Sequence, residues 1–275
     1  MAAATRNESS HWIFDILELV ATAAAPPSAI EIADRLKLPI TTTHRGIHTL
    51  EQAGYIAQHP MSSRYVLANS TKRLTKALLA RFAIRGASLH FLRYVAGASQ
   101  ETTTLCVPLG WYALTVATVL GVNEVVDPAP VGSHVTLHES ASGVALLACS
   151  PKAKVERYLA WVQKSKLGKP RPIQAAIAEA QAQGYALAAA ESEMVGELAV
   201  PIRNIEGEAL ASIAIRGRSL GAKSNRPKML AAAVASARRI EGVIQLDPAR
   251  FKNPYDHLPP EQIQLPGGPP PAQRG

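Results

Sequence analysis

Residues 38–56 read LPITTTHRGIHTLEQAGYI, and the fold of the first part of the chain turns on what this segment is. Thr43, Ile47 and Leu50 recur at helical spacing and form one side, with Gly46 beside them. Thr41, Arg45, His48 and Gln52 form the other side, flanked by Thr42 and His44. Gly54 stands where a left-handed residue ends a helix. A helix that only packs needs no hydroxyls and imidazoles on its outer face, and this one displays short hydrogen-bonding groups. Gly46 runs against the pattern, because an interior glycine costs roughly 1 kcal/mol relative to alanine. It either marks a close approach of helices or is simply tolerated.

Working outward, SHWIFDILELVATAA at 10–24 carries Trp12, Ile13, Ile16, Leu17 and Val20 at helical spacing and stops before Pro26-Pro27. Ser28 and Glu31 have the spacing of a capping box, which opens a helix burying Ile32, Ala33 and Leu36. Lys37-Leu38-Pro39 then forms a tight connection to the quoted segment. Beyond it, GYIAQH and SRYVLA read as two short strands joined by a Pro-Met-Ser-Ser turn. Helix, capped helix, short turn, helix and hairpin is the order of a winged helix-turn-helix. In such a unit the second helix of the pair enters the major groove of double-stranded DNA, where hydroxyls, histidine and arginine reach bases and phosphates. The residues expected to face DNA are Ser28, Thr41, Thr42, Thr43, His44, Arg45, His48 and Arg64. The competing reading is a three-helix packing unit with a polar face.

The bulk composition narrows the classes without choosing among them. The 275 residues hold 29 Lys and Arg against 21 Asp and Glu, a net charge of +8. That balance suits nucleic acid, an anionic surface or acidic ligands alike. No apolar run approaches the ~20 residues of a membrane span, and the first residues lack the apolar block of a secretory signal, so a cytoplasmic protein without membrane contact is expected. Cys106 and Cys149 are too far apart for a metal motif and read as core residues, and neither metal nor cofactor is expected. There is no Gly-x-Ser-x-Gly elbow, His-Glu-x-x-His pair or phosphate loop, so an enzyme acting on a small acid is the lesser alternative.

Residues 71–98 read as a long helical stretch, with Leu74, Leu78 and Phe82 on one stripe among Lys72, Arg73, Lys76, Arg81 and Arg85. This basic amphipathic connector either pairs with its copy in a dimer or presents a solvated face. From Glu101 the texture changes. TTTLCVPL, WYALTVATVL and NEVVD are strand-like, helices follow around 142–148, 151–163 and 171–183, and strands return at 197–203 and 208–216 before an Ala-rich helix at 228–244. Strands mixed with helices imply an α+β domain with a largely antiparallel sheet. The tail from Ala249 holds seven prolines and is expected to be extended and disordered. The expected division is a DNA-binding domain at 8–70, a linker helix at 71–85, an effector-binding domain at 86–248 and a Pro-rich tail at 249–275.

Both halves resemble the IclR family of bacterial transcriptional regulators. The matching text is IEIADRLKLPITTTHRGIHTLEQAGYI with SRYVLA in the first half. In the second it is LHESASGVALLA at 137–148, AQGYAL at 182–187 and LAVPIRNIEGEALASIAIRG at 198–217. The resemblance implies a winged helix-turn-helix, a linker helix and a GAF-like effector domain. It also implies a homodimer or dimer of dimers on a palindromic operator, and a small organic or aromatic acid as effector, a carboxylate controlling catabolic genes. A metabolite-binding module without promoter control is the alternative. The chain departs from the family pattern at three places. Glu197 stands four residues before Pro201 where a cysteine is common, Leu187-Ala-Ala-Ala190 replaces an acidic run, and Ala214 and Arg216 replace two serines of the late strand.

Strand alternation places Ser212, Ala214 and Arg216 on one face and Ala211, Ile213 and Ile215 on the other. Three readings of Arg216 stay open: a bidentate clamp on a carboxylate, a pair with Glu197, or a strand end at the surface. In LHESASG, Ser140 or Ser142 caps a helix, whose N-terminus also suits an acidic ligand. The residues expected at an effector are His138, Ser140, Glu197, Ser212, Ala214 and Arg216.

Overall fold

A computed structural model describes residues 11–123, 129–189, 196–221, 225–256 and 258–263. The chain divides into two compact units between Leu79 and Ala80. The first contains α1 (His11–Thr22), α2 (Ala29–Leu36), α3 (Ile40–Gln52), an antiparallel hairpin of β1 (Ile56–Gln58) and β2 (Tyr65–Leu67), and α4 (Asn69–Ala80). Ile16, Ile32, Ile47, Leu50 and Ile56 form its core. The capping box holds: the Ser28 hydroxyl oxygen accepts from the Glu31 amide, and the Glu31 carboxylate accepts from the Ser28 amide. At the end of α3, Gly54 adopts φ +72° and the amides of Gly54 and Tyr55 donate back to Glu51 and Leu50, the hydrogen-bonded stop that a glycine permits.

The expected long helix over 71–98 is two. α4 ends at Ala80 and α5 spans Ala83–Ser99. Phe82, placed by sequence on the stripe of Leu74 and Leu78, instead precedes α5 and is buried in the core of the second unit. Burial of that one ring outweighs helical continuity. Leu74 and Leu78 are left 61% and 40% exposed, and no residue of α4 is buried.

The second unit is built on a sheet of six antiparallel strands in the order β5-β4-β3-β8-β7-β6. These are β3 (Thr102–Leu109), β4 (Tyr112–Val119), β5 (His134–Thr136), β6 (Ala186–Ala189), β7 (Gly196–Arg203) and β8 (Ala209–Gly217). The short edge strands β5 and β6 were not read from sequence, and NEVVD falls largely outside the described residues. One face carries Leu105, Val107, Leu198, Val200, Ile213 and Ile215 against α5 and α9 (Arg226–Leu246). The other carries the smaller and polar residues, partly covered by α6 (Ala141–Ala148) with α7 (Lys152–Lys164) and α8 (Pro170–Gln183) beside it. Ser212, Ala214 and Arg216 do share a face, opposite Ile213 and Ile215.

The tail departs from its expectation of disorder. Phe251 is buried in the main core, and the Tyr255 ring lies 5.9 Å from that of Phe82. The Asn253 side-chain amide donates to the Pro108 carbonyl at 2.6 Å, and Glu261 pairs with Arg157 at 2.7 Å. Apolar contacts at intervals, not the prolines between them, decide the outcome; residues 264–275 lie outside the described residues. Phe251→Ala should destabilise the second unit by about 3 kcal/mol, the range of buried Phe truncations, measured by urea unfolding. A change within error would show that the tail only rests on the surface.

Candidate functional site

In the first unit, α3 is held by its packed stripe and offers the rest to solvent. Thr43, Gly46, Ile47 and Leu50 are buried, whereas Thr41, His44, Arg45 and His48 are exposed and Thr42 is half-buried. Gly46 is no accident. A Cβ there would overlap the Trp12 ring and Ile16 of α1, so the glycine is what lets the two helices close on each other. The same indole lies 5.4 Å from the Arg45 guanidinium, which stacks over it and is steadied on the exposed face.

Three residues of the expected DNA-facing set are committed within the unit. Thr43 is fully buried and donates its hydroxyl to the Pro39 carbonyl at 3.2 Å, because it lies on the packed stripe with Ile47 and Leu50. Ser28 is engaged at the α2 cap. Arg64 turns back onto Glu31 with both terminal nitrogens, at 2.9 and 3.2 Å, and donates to the Pro26 carbonyl at 2.6 Å. It therefore ties β2 to the start of α2. The Ser28 amide, and after it the Arg64 guanidinium, hold the Glu31 carboxyl below its usual range.

In the second unit, the small-residue face of the sheet and the start of α6 enclose a cavity of about 230 Å³. Thr104 and Cys106 of β3, Ala113 and Thr115 of β4, Glu197 of β7 and Arg216 of β8 line it from the sheet, while Ser133, His134 and the turn Glu139–Ser142 line it from the loops. Ser140 caps α6, its hydroxyl oxygen accepting from the Gly143 amide at 3.0 Å. The Ser142 amide and hydroxyl both donate to Glu197 Oε1, at 3.1 and 2.5 Å. The anion-binding position at the α6 N-terminus, expected to suit an acidic ligand, is thus filled by the chain's own carboxylate. Burial, with the Glu197 charge added, pushes the Cys106 thiol up, so it lines the cavity as a neutral group.

Two segments of the chain match family models at this point: residues 13–60 match the IclR helix-turn-helix domain, and residues 76–241 match the bacterial transcriptional regulator IclR C-terminal domain. The chain belongs to the IclR family. Its relatives include the HTH-type transcriptional regulator XynR of Escherichia coli K12, 25% identical over 214 residues, which cover 76% of this chain and 85% of XynR. Among solved structures, Thermotoga maritima IclR superposes with a TM-score of 0.69 at 21% identity, over 86% of this chain and 100% of that one. An IclR homologue from Microbacterium hydrocarbonoxydans complexed with 4-hydroxybenzoate gives 0.70 at 22% identity, over 86% and 98%. The IclR relatives are transcriptional regulators rather than enzymes, and among the described residues no helix is long and apolar enough to cross a membrane.

Against this IclR frame, Ser140, Glu197 and Arg216 of the expected effector set meet at the cavity. Ser212 and Ala214 do not. Both are fully buried on the same sheet face, Ala214 beneath Ala141, Val144 and Ala145 of α6. Face alternation was right, but α6 covers that half of the face. His138 also turns away, its Nδ1 2.6 Å from the Tyr158 hydroxyl and its Nε2 3.3 Å from the Leu167 carbonyl. Thr104, Cys106, Thr115, His134 and Glu139 were missed. The alternation in TTTLCVPL pointed to the first two, but nothing in sequence said which face held a cavity.

Two outcomes follow from these contacts. A carboxyl depressed in the folded state contributes stability that is complete above its ordinary 4.5 and lost as the pH falls through its lower folded value. Arg64→Met should therefore destabilise the first unit at neutral pH, with the gap to wild type closing in acid; chemical unfolding across that range would show a constant gap if the pairing is incidental. A Cβ at Gly143 would overlap the backbone of Leu137, so Gly143→Ala should cost about 1–3 kcal/mol, as overpacking does. A crystal structure of that variant with α6 unmoved would contradict this.

Proposed function

We propose that this chain is a ligand-responsive regulator that binds a palindromic operator as a homodimer or dimer of dimers and controls catabolic genes in the cytoplasm. Its effector is a small organic or aromatic acid held in the cavity of the second unit. The observation that carries the reading is the division of α3. Four apolar or small positions anchor it, and Thr41, Thr42, His44, Arg45 and His48 are left for a partner. These are residue types that reach base edges and phosphates, on a chain of net charge +8.

Dimerisation is supported by α4, whose Leu74 and Leu78 stay exposed on a helix with no buried residue. An acidic effector is supported by the Arg216 guanidinium on the cavity wall and by the relative that holds 4-hydroxybenzoate. Effector binding alters DNA occupancy only through its differential affinity for two arrangements of the protein.

Footprinting and gel retardation on genomic fragments test the DNA-binding part. Binding should fall steeply with salt yet persist best on one sequence. Arg45→Ala should weaken operator binding by about 1–3 kcal/mol and relax the preference at one base pair. An unchanged footprint and affinity would remove Arg45 from the reading face.

A further inference from the structure

The charges inside the cavity say more than its size. Arg216 of β8 and Glu197 of β7 are direct cross-strand partners, the position at which opposite charges pair most readily in a sheet. They do not pair. Glu31–Arg64 and Arg157–Glu261 are ion pairs in this structure; Glu197–Arg216 is not. Glu197 is drawn instead to the first turn of α6, where both Ser142 donors use Oε1. Its Oε2 has no hydrogen bond among the described residues, and neither has the guanidinium of Arg216, although both side chains line the cavity. Glu139, three residues before Ser142, lines it as well; its Oε2 accepts from the Thr136 amide and hydroxyl.

Among the described residues the cavity lining therefore presents one guanidinium and two carboxylates, beside the His134 imidazole. A plain monocarboxylate would satisfy Arg216 but bring a further negative charge beside Glu197 and Glu139, a like-charge contact that costs energy at short range. A plain amine would satisfy the carboxylates and leave the guanidinium unmet. A molecule with both groups meets both requirements. We propose that the ligand of this cavity is a small zwitterion, an amino acid or similar amino carboxylate, whose carboxylate is bound by Arg216 and whose ammonium is bound by Glu197 with Glu139 adding to the negative field. The proposal rests on the reading of the cavity as the effector site and narrows the acid to one that also carries a cation. The volume of about 230 Å³ lies below the ~300–1,000 Å³ of sites for drug-sized ligands, which favours a single amino acid over a peptide. The hydroxyls of Thr104 and Thr115 also line the cavity, that of Thr115 already accepting from the Ser133 hydroxyl at 3.2 Å.

The test is calorimetry on the full-length protein with matched probes. The proteinogenic amino acids, β-alanine and γ-aminobutyrate are each titrated beside the carboxylate lacking the amine and the amine lacking the carboxylate; benzoate and 4-hydroxybenzoate serve as further plain acids. At least one zwitterion should bind at least about tenfold more tightly than either of its halves, the effect of one charge-assisted contact. Glu197→Gln keeps a side-chain carbonyl for the Ser142 donors, so the fold is retained. It should erase the zwitterion's advantage while leaving the matched carboxylate bound as well or better. If a plain carboxylate binds as tightly as its amino counterpart and is indifferent to Glu197→Gln, the zwitterion is wrong and the cavity remains an acid site. If no probe binds, or binding is unaffected by both Glu197→Gln and Arg216→Ala, the cavity reading falls and the zwitterion with it.

Discussion

Helix α6 meets the sheet through a seam of small side chains: Ala141, Val144 and Ala145 on the helix, Ala199 and Ala214 on β7 and β8, and Ala180 and Ala186 beside them. Nothing in the seam is bulkier than valine, so the helix lies close over the strands and its first turn reaches Glu197. The glycine at 143 extends the constraint to the backbone of Leu137 in the preceding loop. Packing of this density has little compliance. The carboxylate, the helix start and the cavity wall behave as one piece, and the polar half of the sheet face is divided by α6 into a dry seam and a lined chamber.

The first unit solves a different problem. Helix α3 is a poor helix by composition, with three β-branched threonines in its first turn, no side-chain cap at Pro39 and an internal glycine. Its stability comes from tertiary contact: Ile47 and Leu50 enter the core, the α1 indole covers Gly46, and the hairpin is strapped down by Arg64. Weak intrinsic propensity is acceptable because the outer face is chosen for hydrogen-bonding groups, and packing supplies what propensity lacks.

Features that depend on neighbours a few residues apart were legible in the chain: the Ser28–Glu31 cap, the stop at Gly54, and the alternation along β8. Features set by distant contacts were not. The bulge opposite Leu105 and Cys106 lets Val116 and Ala117 both face the main core, so Thr115 and Thr118 fall on the same side three residues apart. A strict period of two misplaces one of them. Phe82 broke a helical stripe because a core elsewhere claimed its ring. Arg64, an exposed arginine on a wing by sequence, found Glu31 across 33 positions of chain. In each case the deciding partner lay outside any local window.

The interlock of Gly46 with the Trp12 ring has an evolutionary consequence. Because a methyl at 46 collides with an aromatic ring on another helix, these two sites are coupled, and drift at either requires compensation at the other. Thr41, His44 and His48 carry no such obligation: their side chains are exposed and outside the core. Substitutions at those three positions can therefore accumulate without disturbing the packed scaffold that presents them.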